Sequence, residues 1–172
     1  MRTFSPVVRV LAACLLAVAA ISVVPSPARA GQEPAPDPLV IVVNRQNPVE
    51  TLSGADLRRI FLGERLTWPD RRRMTVVMRP PEDPERALLL RLVCRMSEPE
   101  YVRHLLQASF VGDASAGPKQ LSTAAGVRRF IFNVPGAIGY LRVSEVDDSV
   151  KVVRVDNRPP SDAAYPLRGE GR

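Results

Sequence analysis

Histidine occurs once in this chain, at His104, and cysteine twice, at Cys14 and Cys94. Aromatic residues make up 5% of the 172 positions, and lysine is confined to Lys119 and Lys151. Each scarcity removes a class of chemistry. A lone histidine and two separated cysteines supply no cluster at zinc-ligand spacing, and no Walker or dinucleotide glycine pattern is present, so no metal or cofactor is expected. Cys94 and His104 stand ten positions apart on successive predicted helices without the local signature of a Cys-His nucleophile pair. His104, flanked by Val102, Leu105 and Leu106, reads as a partly buried packing residue, and the chain as a non-enzyme. Too few aromatics are available for base stacking. The formal charge of +6 therefore does not read as a nucleic-acid surface, and no nucleic-acid partner is expected.

That charge is also unevenly placed. Arg2 and Arg9 precede an apolar run from Val10 to Val24, followed by Pro25, Pro27 and the small-x-small triplet Ala28-Arg29-Ala30. This is the layout of a cleaved secretory signal over residues 1–30; the run is shorter than the roughly 20 residues a membrane span needs. Leu11-Ala12-Ala13-Cys14 resembles a lipidation box, but apolar residues continue well past Cys14, so that cysteine is read as discarded. With three arginines in the leader, 21 of the 24 basic residues remain against 18 acidic ones, a small net positive charge. Export to the periplasm or beyond favours paired cysteines, yet only Cys94 is left. It is expected as a free, buried small hydrophobe.

The remaining 142 residues suffice for one domain with one core. Residues 31–38 form a proline-spaced leader and 157–172 a polar tail with Pro159, Pro160 and Pro166; neither has apolar periodicity, and both are expected to be mobile. Between them, Leu39-Val40-Ile41-Val42-Val43 is a continuous β-branched run, the mark of a strand covered on both faces. Ser53 with Asp56 starts a helix that Gly63 stops. Trp68-Pro69-Asp70 and three arginines read as an exposed turn into a strand over 74–78. Asp83 and Pro84 begin a helix running to about Met96, Ser97 one ending near Ser109, and Ser122 one ending near Asn133. Strands over 137–141 and 150–155 follow. Strands alternating with helices predict an α/β layered domain.

Three pieces narrow the reading further: Asp56-Leu57-Arg58-Arg59-Ile60-Phe61-Leu62-Gly63, then Trp68-Pro69-Asp70, then Pro135-Gly136-Ala137-Ile138-Gly139-Tyr140-Leu141. In this order they resemble the periplasmic phosphate-type substrate-binding proteins of bacterial uptake systems, whose closing lobe carries a helix ending in I-F-x-G, a tryptophan, and a late P-G-A-I-G-Y strand. The resemblance spans roughly Leu39 to Asp156. It implies a single three-layer α/β domain of the type II periplasmic-binding lobe, with a mixed, mostly parallel sheet flanked by helices. A complete receptor of this type closes two lobes around its ligand, and this chain has material for one. The facing wall would then come from the lobe itself, from a second copy in a homodimer, or from an envelope or membrane protein partner.

In open α/β sheets, ligands bind beyond the carboxyl ends of strands. Asn44, Arg45, Gln46 and Asn47 follow the first strand, Arg79 the second, and Arg142 and Ser144 the third. The resemblance singles out Arg79, because Val76-Val77-Met78-Arg79 matches the V-x-R strand that in the phosphate-binding relatives precedes a glycine-serine-threonine oxyanion loop. Here that loop is Pro80-Pro81-Glu82-Asp83-Pro84: three prolines lack amide donors, and two acids stand where the anion would bind. Arg79 is therefore either an anion ligand or the ion-pair partner of Glu82 or Asp83. Asn44 and Lys119 are further candidate ligands, against readings as a turn residue and a solvated loop lysine. Two functions follow: an exported receptor reversibly binding a small inorganic anion, with phosphate foremost, or a non-catalytic envelope interaction module that keeps the lobe without ligand capture.

Overall fold

A computed structural model describes residues 37–110 and 117–169; the expected signal and most of the proline-spaced leader lie outside the described residues. The order of elements is β1 (Leu39–Asn44), β2 (Thr51–Leu52), α1 (Gly54–Phe61), β3 (Thr75–Met78), α2 (Pro84–Leu89), a π-helical turn (Leu90–Cys94), α3 (Glu98–Phe110), β4 (Lys119–Gln120), α4 (Ala124–Asn133), β5 (Ala137–Arg142), a 3-10 turn (Val143–Glu145) and β6 (Val150–Val155).

All six strands form one sheet in the order β2-β6-β1-β5-β3-β4. The sheet is mixed: β2–β6, β3–β4 and β3–β5 are parallel, whereas the two longest ladders, β1–β5 and β1–β6, are antiparallel. Period-two alternation then divides the apolar run of β1 between two cores. Leu39, Ile41 and Val43 pack on one face with α1, the π-helical turn and Tyr101 of α3, while Val40 and Val42 pack on the other with Val127 and Ile131 of α4. Every residue from Leu39 to Val43 is fully buried. At about 1.5–3 kcal/mol for each large aliphatic side chain, this strand is the main apolar anchor of both layers.

The helix boundaries follow from local chemistry. Ser53 caps α1, its hydroxyl accepting from the Asp56 amide at 3.0 Å, and Gly63 takes the left-handed φ of 78° that ends it. Thr123, one residue later than the expected Ser122, caps α4 by accepting from the Gly126 amide. The helix expected to run from Pro84 to Met96 is broken. It passes into a π-helical turn at Leu90 and ends on Arg95 at φ 55°.

Two expectations are overturned. Trp68 is not an exposed turn residue; it is buried, and its indole N–H donates to the Gly136 carbonyl at 3.0 Å. The tail after Asp156 is not a free polar segment either. Tyr165 and Leu167 are buried in the larger core, and the Leu39 amide donates to the Leu167 carbonyl at 3.1 Å. Two apolar residues among prolines and charges are too few for a periodic pattern, yet enough to dock a strap. Among the described residues, no helix is long and apolar enough to cross a membrane.

Candidate functional site

β3 and β5 run parallel, so their carboxyl ends, Arg79 and Arg142, emerge on the same edge of the sheet. β1 runs antiparallel to β5, which puts its carboxyl end, Asn44, on the opposite edge. The structure thus separates two residues that the strand-end rule had grouped.

The backbone of Arg79 is pinned on both sides. Its amide donates to the Tyr140 hydroxyl at 2.9 Å, and its carbonyl accepts from Arg86 Nη1 at 2.9 Å. Tyr140 is buried in β5 and meets Phe61 edge-on with ring centroids 6.1 Å apart. Burial, the largest cause, holds its hydroxyl well above the ordinary tyrosine range. Arg86 is itself fixed: Nε and Nη2 donate to the two carboxylate oxygens of Glu98 at 2.8 and 2.6 Å, and the guanidinium carbon lies 5.5 Å from the centre of the Tyr101 ring. A bidentate pair with a cation–π contact is a rigid support.

The Arg79 side chain is 8% exposed, and its Nε lies 3.3 Å from Asp83 Oδ2 and 3.3 Å from Glu85 Oε2. Arg79 is thus held by carboxylates from its own chain; the acid beside Asp83 is Glu85 rather than the expected Glu82. Asp83 is meanwhile the cap of α2, its Oδ1 accepting from the Glu85 amide at 2.8 Å. Pro84 supplies no N–H, so this helix start is closed by its own acid. Glu85 also reaches Arg142, with Oε1 3.5 Å from Nε. Arg142 in turn donates from Nη1 to the Asp37 carbonyl at 2.6 Å, and its amide donates to Glu145 Oε2 at 3.0 Å.

The cluster is held by charge more than by aligned hydrogen bonds. Among the described residues, Arg79 Nε and Nη1 and Glu85 Oε2 are buried without a hydrogen-bond partner. Burial, then the neighbouring Glu145 carboxylate, raise Glu85 above the ordinary carboxylate range; Arg79 opposes the shift, Asp83 adds to it and Arg142 opposes it. A buried guanidinium whose Nε faces two carboxylates at 3.3 Å without an aligned hydrogen bond keeps spare donor capacity. Chemically it can exchange one anion for another, or stay closed on its own.

The other candidates are placed elsewhere. Asn44 is buried, its amide donating to the Ile131 and Phe132 carbonyls at 2.8 and 2.7 Å while its oxygen accepts from the Gln46 amide at 2.9 Å. It closes the last turn of α4, with both of its amide hydrogens committed to those carbonyls. Asn47 closes a local turn, accepting from the Val49 amide. Lys119 lies in register with Val77 on the edge strand β4 and lines, with Arg73, Phe61 and Tyr101, a cleft of about 550 Å³ whose walls do not include Arg79. His104 is a packing residue with Nε2 3.1 Å from the Leu62 carbonyl. Cys94 is free and buried, and its thiol is pushed up to about 11, chiefly by burial. Strand-end reasoning identified Arg79 and Arg142 but not Glu85. The available signal was an acid in the first turn of a helix beginning five residues after the arginine.

No protein-family model matches the chain, and no curated protein matches it. Solved structures do. An ABC-type phosphate transport receptor from Vibrio cholerae superposes with a TM-score of 0.64 at 23% identity, covering 77% of this chain and 54% of the receptor. PstS from Borrelia burgdorferi gives 0.59 at 13% identity over 74% and 50%. A putative phosphate ABC transporter substrate-binding protein from Clostridium perfringens, solved with bound phosphate, gives 0.58 at 22% identity over 71% and 46%. The chain spans about half the length of each. Its fold is that of a single lobe of the phosphate-type substrate-binding proteins.

Proposed function

We propose that the chain is an exported, non-catalytic binding module that takes a small oxyanion, phosphate being the first candidate, at Arg79. The observation that carries this reading is the buried Arg79 guanidinium, whose Nε and Nη1 have no hydrogen-bond partner among the described residues and which sits on the strand-end edge beside Arg142. The solved structures of like fold include an ABC-type phosphate transport receptor and a putative substrate-binding protein with bound phosphate, which supports a solute-binding role. In this reading Asp83 and Glu85 are resident anions that the solute displaces. Glu85 leaves most readily, because burial already favours its neutral form.

The test is a melting curve of the full chain with and without millimolar phosphate or sulfate. Ligand stabilises by RT ln(1 + [L]/Kd), about 2.7 kcal/mol at a hundredfold excess over Kd. A shift that grows as pH falls, and that grows further in Glu85→Gln, is expected. If neither the parent chain nor Glu85→Gln responds to any oxyanion, the reading fails.

One observation favours a second reading. Asp83 and Glu85 already balance the charge of Arg79, and α3 presents Val102 and Leu106, 42% and 56% exposed, one turn apart. A module that docks to another envelope protein without capturing solute would keep both features. Absence of every anion response, with the domain folded and Arg79 required for stability, selects it.

A further inference from the structure

Arg79 lies at the inner end of a short series of donors that the chain closes with its own acids. Side-chain exposure falls from Arg142 at 26% to Glu85 at 12% and Arg79 at 8%, and Ser144, two residues beyond Arg142, is exposed. A solute arriving from solvent therefore meets Arg142 before Arg79. One carboxylate joins the two: Glu85 places Oε2 3.3 Å from Arg79 Nε and Oε1 3.5 Å from Arg142 Nε. An oxyanion that takes its place, with two acceptor oxygens on one centre, faces both guanidinium groups at once.

Arg142 is already engaged on its other side. Its Nη1 donates to the Asp37 carbonyl at 2.6 Å. Asp37 belongs to the segment entering β1, which reaches this edge because β1 runs antiparallel to β5 and begins where β5 ends. Among the described residues, the hydrogen bonds of Asp37 all run to this corner: its carbonyl accepts from Arg142, and its Oδ2 accepts from the Ser144 amide at 3.2 Å and from the Ser144 hydroxyl. The carbonyl of the next residue, Pro38, is fixed by the Val143 amide at 3.1 Å, but proline has no N–H to add a second tie. The carboxylate on Ser144 is thus what keeps the Asp37 carbonyl over Arg142.

Charge points the same way. Arg79 and Arg142 are ringed by Asp83 and Glu85 at the start of α2, by Glu145, which accepts from the Arg142 amide, and by Asp37 on Ser144. Four carboxylates around two guanidinium groups repel an incoming oxyanion. Asp83, Glu85 and Glu145 sit within helical turns; Asp37 alone of the four lies ahead of the first strand, where it can swing away without unwinding an element. Resting on the reading of Arg79 as an oxyanion site, we propose that Arg142 is the second cation of that site and that Asp37 is a latch that withholds it. Solute binding then exchanges the Asp37 contact on Arg142 for an oxygen of the anion.

Isothermal titration of inorganic phosphate into the full chain tests this, in the parent, Asp37→Ala, Arg142→Gln and the double variant. Asp37→Ala should tighten phosphate about tenfold, the scale of one like charge withdrawn from a partly exposed site, and Arg142→Gln should weaken it by about the same factor. The double variant decides between a latch and simple repulsion. Without Arg142 there is no cation to release, so the gain from Asp37→Ala should vanish. Melting curves establish that each variant is folded; Arg142→Lys, which keeps the charge but not the planar fork, stands in if Arg142→Gln is not. A gain that persists in full without Arg142 overturns the latch. Phosphate binding that neither single substitution alters overturns both roles and leaves Arg79 as the site. No phosphate binding in any of these proteins or in Glu85→Gln removes the reading of Arg79, and this proposal with it.

Discussion

Replacing Arg79 with alanine probes the charge cluster directly. The guanidinium is 8% exposed, and the carboxylates it faces, Asp83 and Glu85, are 18% and 12% exposed. Its removal leaves Asp83 without a cation and Glu85 with Arg142 Nε at 3.5 Å. Breaking a buried pair by deleting one partner costs about 3–5 kcal/mol, since the stranded charge stays desolvated; residual access to water at Asp83 points to the lower end. With a urea m-value of about 2 kcal/mol/M for a domain of this size, the unfolding midpoint should fall by about 1.5 M. Adding Glu85→Gln removes one stranded charge, and the double variant should recover about 1–2 kcal/mol, within the range of coupling seen for contacting residues. Arg72→Ala is the internal control. Its pair with Asp70 is 47% and 26% exposed, and its loss should cost less than about 0.5 kcal/mol. A cost for Arg79→Ala under about 1 kcal/mol, or strict additivity in the double variant, would refute the view that Arg79 is bound to internal anions.

Glu85 also predicts a pH effect. Because the folded state raises its pKa, the fold holds more protons than the unfolded chain above the ordinary carboxylate value, and the Glu85 contribution to stability falls as pH rises through that window. Urea midpoints from pH 4 to 7 should therefore rise for Glu85→Gln relative to the parent; a relative fall contradicts the assignment. Tyr140→Phe leaves the Arg79 amide without its 2.9 Å acceptor and should cost about 1–3 kcal/mol, whereas a loss within 0.3 kcal/mol, by about the precision of such measurements, would mean that the amide finds another partner. In Gly136→Ala the new methyl would sit 2.1 Å from the Arg73 carbonyl oxygen, a backbone atom, and circular dichroism should show a domain weakened by at least about 3 kcal/mol. Cys94, with its thiol pushed up to about 11, should ignore a thiol reagent at pH 8 until urea unfolds the chain; rapid native labelling would show that the core opens there.

Legibility of the fold in the sequence tracked the strength of the local signal. The unbroken run Leu39–Val43 announced a strand buried on two faces, and Ser53, Gly63, Asp83 and Pro84 marked helix ends because caps are decided within four residues. Ladder direction left no such trace. Nothing in Val150–Val155 states that it pairs antiparallel with β1, and β2 and β4, two residues each, are too short for any period to appear. The π-helical turn was hidden because Leu90-Arg91-Leu92-Val93-Cys94 is an ordinary helical composition; tertiary contacts choose the wider turn. At the site, Arg79 was readable from its strand and its clash with the acidic loop. Glu85 was not, since an acid in a first helical turn usually serves the helix dipole alone, and only the bend through Pro80 and Pro81 turns it back on the arginine.

The central strand has a consequence for how the molecule comes into being. β1 is synthesised first, yet its two neighbours are β5 and β6, about a hundred residues later, and its first amide is closed by Leu167. Its middle cannot be zipped on both sides until both β5 and β6 have been made. Such long-range closure is slow, so the centre of the sheet is among the last parts of the domain to lock, after the helices between β3 and β5 have had time to form locally.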